Sequence, residues 1–154
     1  MRVWRISKRK YANSAFSGEG ARLFDARWNF AGVPMVYTSS SLALAAIELF
    51  VHLDPNEAPS ALVSLMAEVP DELRVERITM DALPDDWYRI DNKHLQRIGT
   101  DWAKSLSSVA LIVPSAAVGG EWNILLNPAY PDFAKISLNI AKPFHYDERM
   151  FRRP

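Results

Sequence analysis

The sequence predicts an α+β fold, a compact mixed sheet core with flanking helices. Short segments with period-two alternation or continuous apolar character outnumber those with a helical period. They do not follow the regular strand–helix–strand rhythm of a parallel α/β protein. At 154 residues, 49% apolar and 23% charged, the chain can bury a core as one domain, residues 1–154, without metal or disulfide.

Taken in order, residues 3–6 form a short opening strand with Arg5 on one face. Residues 7–32 have poor apolar periodicity and are punctuated by Gly18, Gly20 and Gly32, which predicts a loop with at most a short helix. Its aromatic residues (Tyr11, Phe16, Phe24, Trp28, Phe30) argue that this long loop is ordered and functional. Residues 35–38 form a second strand. Ser39, Ser40 and Ser41 then offer N-caps for a helix running to about His52. Only Ser41, Glu48 and His52 make a polar stripe on it, so a buried helix is expected.

Pro55 and Pro59 bracket a turn. Residues 61–69 alternate, with Val63, Leu65, Ala67 and Val69 on one face, as in a half-buried strand. A further strand is expected at 74–78 and a turn at 83–87. Leu95, Ile98, Trp102 and Leu106 mark a helical stripe with a break expected at Gly99. Residues 109–113 are a continuous apolar strand ended by Pro114. Residues 123–126 and 136–141 read as closing strands, separated by a turn over 127–132.

Composition narrows the function. Lys plus Arg and Asp plus Glu each number 18, so the net charge is zero. That weighs against direct nucleic-acid binding, although Arg2, Arg5, Lys8, Arg9 and Lys10 crowd the N-terminus. No cysteine is present, which excludes disulfides and thiolate catalysis and suits the cytoplasm. The N-terminus lacks a signal peptide, and the longest apolar run, 42–51, is too short and too charged to cross a membrane. His52, His94 and His145 lack metal-ligand spacing, and no metal is expected. There is no phosphate-binding Gly-rich loop and no Ser-centred elbow.

The informative stretch is Arg27-Trp28-Asn29, then Val36-Tyr37-Thr38-Ser39, then the apolar run around Glu48. An arginine, a tyrosine and a carboxylate at roughly one-element spacing suit a pocket for an anionic, aromatic ligand. Each has a plainer reading. Glu48 either lines a cleft or faces solvent, because an unpaired buried carboxylate costs several kcal/mol. Tyr37 is either core packing or a cleft residue. Arg27 is either a ligand contact or an ion-pair partner of Asp25. Arg5 alternates on a strand and can face water. Ser115, after a strand and a proline, suits either a ligand contact or a capping bond.

The ordered motifs resemble the RES domain family, bacterial toxins named for arginine, glutamate and serine and commonly paired with an Xre-type antitoxin. The resemblance rests on Val3-Trp4-Arg5-Ile6, Arg27-Trp28-Asn29 with Gly32, Val36-Tyr37-Thr38-Ser39, Ala43-Leu44-Ala45-Ala46-Ile47-Glu48, Val113-Pro114-Ser115, and Asn123-Ile124-Leu125-Leu126-Asn127-Pro128. Two positions depart from the family pattern. Asp25-Ala26 stands where Gly-Gly often precedes the Arg-Trp-Asn, and Tyr130 stands where the later turn often carries histidine.

The resemblance implies a fold similar to ADP-ribosyltransferase toxins, with NAD as substrate rather than cofactor, cleaved at the nicotinamide–ribose bond by hydrolysis or phosphorolysis. Transfer of ADP-ribose to a protein is the first alternative. A non-catalytic binding domain or an RNA-directed toxin is the second. Implied catalytic residues are Glu48, which stabilises an oxocarbenium-like transition state, Tyr37 beside the nicotinamide, and Arg27 on the diphosphate. Arg5, Ser115 and Asn29 are the implied substrate-binding residues. The implied partner is an Xre-type antitoxin, and a homodimer is left open.

Overall fold

The structure is a computed structural model and describes residues 1–54 and 58–151. Its frame is one sheet in which eight strands are described: β1 (Arg2–Lys8), β2 (Val36–Ser39), β3 (Leu62–Glu68), β4 (Val75–Arg77), β5 (Ala110–Pro114), β6 (Trp122–Leu126), β7 (Ser137–Leu138) and β8 (Lys142–Phe144). The order is β4-β5-β6-β2-β1-β3-β7, with β8 also pairing with β3. Only β4 and β5 pair in parallel. Among the described residues three α-helices accompany the sheet: α1 (Glu19–Leu23), α2 (Leu42–Phe50) and α3 (Lys93–Ser105). The expected α+β class is borne out. None of the helices is long and apolar enough to cross a membrane among the described residues.

The register assigns each side chain to a face, because successive strand residues point oppositely. Val3, Val36, Leu65, Ala67, Ala110, Ile124 and Leu126 lie on one face, covered by Ala15, Phe16, Leu73 and Ile136. On the opposite face, Leu111, Val113 and Leu125 pack against Trp28, Leu95 and Trp102, while Ile6 and Leu62 pack against Ala45 of α2. Residue 63, 65, 67 and 69 burial follows the expected alternation, but Leu62 and Ser64 are buried as well. The strand is not half-exposed, because α2 and Tyr146 and Phe151 of the C-terminal segment cover its second face.

Four expectations need correction. Helix α2 ends at Phe50, two residues short of His52, and only Leu44 and Ala45 on it are buried. It forms the wall of an open cleft, so its narrow polar stripe keeps access to solvent. Helix α3 runs unbroken through Gly99, because a β-carbon there would stand 1.9 Å from the carbonyl oxygen of Trp28. The glycine permits close approach of two elements and does not end one. Finally, the single closing strand expected at 136–141 is two pieces, β7 and β8, both paired with β3. Asn139 N–H still donates to Met66 O at 2.9 Å between them. The turn expected at Pro55 to Pro59 falls partly outside the described residues. Of residues 7–32, Ser7 and Lys8 extend β1 beyond the expected strand, Arg9–Ser14 form a 3-10 turn and Glu19–Leu23 form α1, and the remainder is loop.

Local signals explain the two longer helices. Ser41 accepts the Leu44 N–H at 3.1 Å, which makes it the N-cap among the three serines. Asn92 caps α3 by accepting from His94 N–H and Leu95 N–H. Each such cap contributes about 1 kcal/mol.

Candidate functional site

The cleft opens where β1 and β2 part. Their ladder has one registered pair, Trp4 with Ser39. Beyond it Arg5 fills the gap, donating Nη1 to the carbonyl oxygen of Tyr37 at 2.8 Å. Its Nε is buried with no hydrogen-bond partner. No carboxylate pairs with this guanidinium among the described residues, and desolvation holds its pKa below the ordinary arginine value. A buried cation without a counter-ion is costly, and the natural remedy is an anionic ligand. The adjoining cleft has a volume of about 790 Å³, and Arg5, Arg27, Tyr37, Glu48 and Asn123 are among its lining residues. A smaller, shallower depression of about 600 Å³ at Pro84–His94 shares only Ile90 and Asp91 with it.

Glu48 projects from α2 into the cleft wall. Its Oε1 accepts Ser115 Oγ–H at 2.6 Å and Asn123 Nδ2–H at 2.5 Å. Both bonds converge on one oxygen, and Oε2 has no hydrogen-bond partner among the described residues. The solvent-facing alternative for Glu48 therefore gives way to the cleft. Ser115 itself is 2% exposed and also accepts from Ala117 N–H and Val118 N–H. Its hydroxyl donates to Glu48, and Ser115 is not among the residues lining the cleft, so the structure places it behind the carboxylate as a support.

The Arg27-Trp28-Asn29 motif is a tight turn closed by reciprocal Ala26 and Asn29 backbone bonds of 3.0 and 3.3 Å. Asp25, beside it, does not pair with Arg27. Its Oδ1 accepts Ala31 N–H at 2.7 Å and closes the loop from outside. Arg27 instead spends Nη1 on the carbonyls of Trp87, Tyr88 and Arg89, at 3.4, 3.1 and 3.0 Å. Its guanidinium thus ties the 87–89 loop to the cleft, and its other nitrogens keep their donors.

Asn29 is fully buried and saturated. Its Nδ2 donates to Ala21, Phe24 and Phe30 carbonyls, and its Oδ1 accepts the Tyr37 hydroxyl at 2.8 Å. The structure thus places Asn29 behind the cleft wall, with its side-chain donor and acceptor engaged within the fold. Tyr37 also accepts Trp28 N–H at 3.0 Å. Burial raises its hydroxyl pKa above the ordinary value, while the Trp28 bond and the Arg27 charge oppose this. The phenol latches the motif turn to β2, and its ring lies along the cleft.

The structure brings together Glu48, Tyr37, Arg27 and Arg5 at the cleft and places Ser115 and Asn29 behind it. Residues not singled out from sequence also contribute. Gln96 of α3 donates Nε2–H to Ala26 O at 3.1 Å and supports the turn. Asn123 holds Glu48, and His52 lines the rim. Asn123 was detectable in principle, as a polar residue in phase with the buried Leu125 of its strand.

These features define a class: a cleft in which a buried guanidinium without a carboxylate partner among the described residues stands with one oriented carboxylate. Residues 2–147 match the RES domain family, and the chain belongs to that family. It is 34% identical over 154 residues to Toxin Res of Photorhabdus laumondii, covering 99% of this chain and 98% of that protein. It is 39% identical over 158 residues to the Prs ADP-ribosylating toxin of Sphingobium sp. strain YBL2, covering 97% and 96%. The crystal structure of the M. tuberculosis MbcT–MbcA toxin–antitoxin complex includes a similar chain. The TM-score is 0.71 at 22% identity, covering 94% of this chain and 84% of that one, which is likeness of fold.

Proposed function

We propose that this protein is a RES-type toxin that acts on NAD, breaking the bond between nicotinamide and ribose in the cleft. The observation that carries the reading is Glu48, anchored through Oε1 and open at Oε2, in the same cleft as the unpaired guanidinium of Arg5. Arg5 and the remaining donors of Arg27 suit the diphosphate, for which guanidinium forks are well matched. Oε2 of Glu48 suits the ribose hydroxyls and the positive charge that grows on the ribose. As the glycosidic C–N bond breaks, the nicotinamide leaves with the bonding pair and becomes neutral. One carboxylate therefore suffices, unlike the acid and base pair of ordinary glycosidases. An acceptor oxygen then bonds the ribose carbon and loses its proton.

Water or phosphate as acceptor is the first reading. Transfer to a protein is the second, favoured by the resemblance to an ADP-ribosylating toxin. Labelled NAD incubated with purified protein and lysate distinguishes them by free ADP-ribose (or its phosphate) against labelled protein. An ADP-ribosyltransferase-like fold, cytoplasmic action and restraint by an antitoxin, of Xre type, complete the reading. The likeness to a toxin–antitoxin complex and the curated toxins supports the last of these.

The test of the whole is Glu48→Ala. Losing one preorganised electrostatic group lowers turnover roughly 100- to 1,000-fold. NAD consumption at the parental rate by folded Glu48→Ala would overturn the mechanism.

A further inference from the structure

Asn123 and Ser39 form a two-residue lock behind the carboxylate. Both stand on the cleft face of adjacent strands, in register as a Ser39–Asn123 pair of β2 and β6. The Ser39 hydroxyl donates to Asn123 Oδ1 at 2.8 Å. The same amide donates Nδ2–H to Glu48 Oε1. An asparagine amide presents a donor on one side and an acceptor on the other, and a flip exchanges them. The flip would set an oxygen against the Glu48 carboxylate and turn Nδ2–H toward Ser39 Oγ, leaving the Ser39 O–H without its acceptor. Ser39 is 3% exposed and has no other acceptor among the described residues, so its hydroxyl is committed to this task.

We infer that Asn123 is the positioning residue that aims Glu48, and that Ser39 fixes the side on which its donor lies. The inference rests on the reading of Glu48 as the catalytic carboxylate. Ser115, just past the end of β5, and Asn123 of β6 bind the same oxygen, so the carboxyl plane is held from two directions and Oε2 is left toward the cleft. With one donor removed, the carboxylate keeps its anchor at Ser115 but rotates about it. A misplacement of about 1 Å in such a group costs roughly 100-fold in rate.

The decisive variant is Asn123→Asp, which preserves shape and changes only the donor. While protonated, the introduced carboxyl donates O–H to Glu48 Oε1 and stands in for the amide. Once ionised, it places a second negative charge against the first. Two carboxylates in contact share a proton, so this ionisation is delayed to higher pH than for a lone aspartate. We expect Asn123→Asp to approach parental kcat at the acid end of its stability range and to fall away from it as pH rises. Asn123→Ala should lower kcat about 100-fold at every pH, with KM for NAD changed less. Ser39→Ala should lower kcat by a smaller factor, and adding it to Asn123→Ala should change nothing further, because the lock has no amide left to hold.

Kinetics of NAD consumption across pH, with thermal melts on each variant, read these outcomes. A pH-independent loss in Asn123→Asp, or parental kcat in Asn123→Ala, overturns the aiming role while leaving the NAD reading intact. A parental protein inert toward NAD overturns both, since no carboxylate then needs aiming. If Asn123→Ala fails to fold, the pH profile of the isosteric Asn123→Asp and the kcat of Ser39→Ala decide alone.

Discussion

Tyr37 shows how a residue expected to touch the ligand also performs a second task. Its hydroxyl accepts Trp28 N–H and donates to Asn29 Oδ1, stitching the Arg27 turn to β2. Tyr37→Phe leaves the Trp28 N–H without an acceptor at a site where Trp28 is 2% exposed. The loss of stability should be about 1–3 kcal/mol, measured by urea unfolding at neutral pH. A pH dependence follows from the raised hydroxyl pKa. The folded state holds a proton that the unfolded chain releases near pH 10, so this contribution is whole below pH 10 and declines as pH rises above it. Tyr146, pushed up to about 12 by burial, adds its own alkaline decline to parental protein and variant alike. The parental protein should therefore lose stability above pH 10 more steeply than Tyr37→Phe, and parallel curves would remove Tyr37 as the cause.

The contact between α3 and the motif turn decides whether the Arg27 side of the cleft is built. Phe30 N–H donates to Thr100 Oγ1 at 2.9 Å, Gln96 holds Ala26 O, and Gly99 lets the Trp28 carbonyl lie against the helix backbone. Helix propensity alone makes Gly99→Ala stabilising by about 0.8–1 kcal/mol. A β-carbon 1.9 Å from a backbone oxygen reverses the sign, because neither backbone can yield without moving its element. Overpacking of this kind costs about 1–3 kcal/mol or more. Gly99→Ala should lower the urea midpoint and also weaken ADP-ribose binding, since Arg27 rides on the displaced turn. A raised midpoint would show that the turn relaxes freely.

The periodicity of 95–106 predicted α3 correctly, and the serine cluster predicted the start of α2. What pattern could not show is that Gly99 serves a neighbour 71 positions away in sequence. The apparent helix breaker is a contact surface, and contact surfaces between distant segments leave no local period.

Across the whole molecule, the C-terminal segment supports α2 from behind. Tyr146 and Phe151 meet Phe50 at ring-centroid distances of 5.9 and 5.5 Å, and Tyr146 in turn contacts Phe144 and Phe151 at 5.1 and 5.7 Å. The Tyr146 hydroxyl donates to Ala46 O at 2.5 Å, within α2. Strand β8 anchors this segment to β3. Tyr146→Ala removes a ring from the centre of the cluster and should destabilise the protein by about 3 kcal/mol. It should also lower kcat for NAD, because α2 carries Glu48, while ADP-ribose affinity, which rests on the arginine side, changes less. Kinetics beside calorimetry make this comparison. Unchanged kcat at a lowered melting temperature would show that α2 keeps its place without the ring.

Seen at this scale, the sequence by itself determined the α+β class, most of the strands, the two longer helices and the family to which the chain belongs. Those depend on alternation, capping and ordered motifs, which are local properties of the chain. It also marked Glu48, because a lone charge in an apolar helix conflicts with its surroundings. The tertiary structure decided which polar residues face the cleft and which stand behind it. Arg27, Ser115 and Asn29 have the same side-chain chemistry wherever they lie. Only the parting of β1 from β2, the approach of α3 and the pairing of β2 with β6 make Arg5 an unpaired cation, Asn29 a buried latch and Asn123 the partner of Glu48. Hydrogen-bond partners brought together from 8 to 75 residues apart are chosen by the folded backbone, and a burial pattern read along one strand carries no record of them.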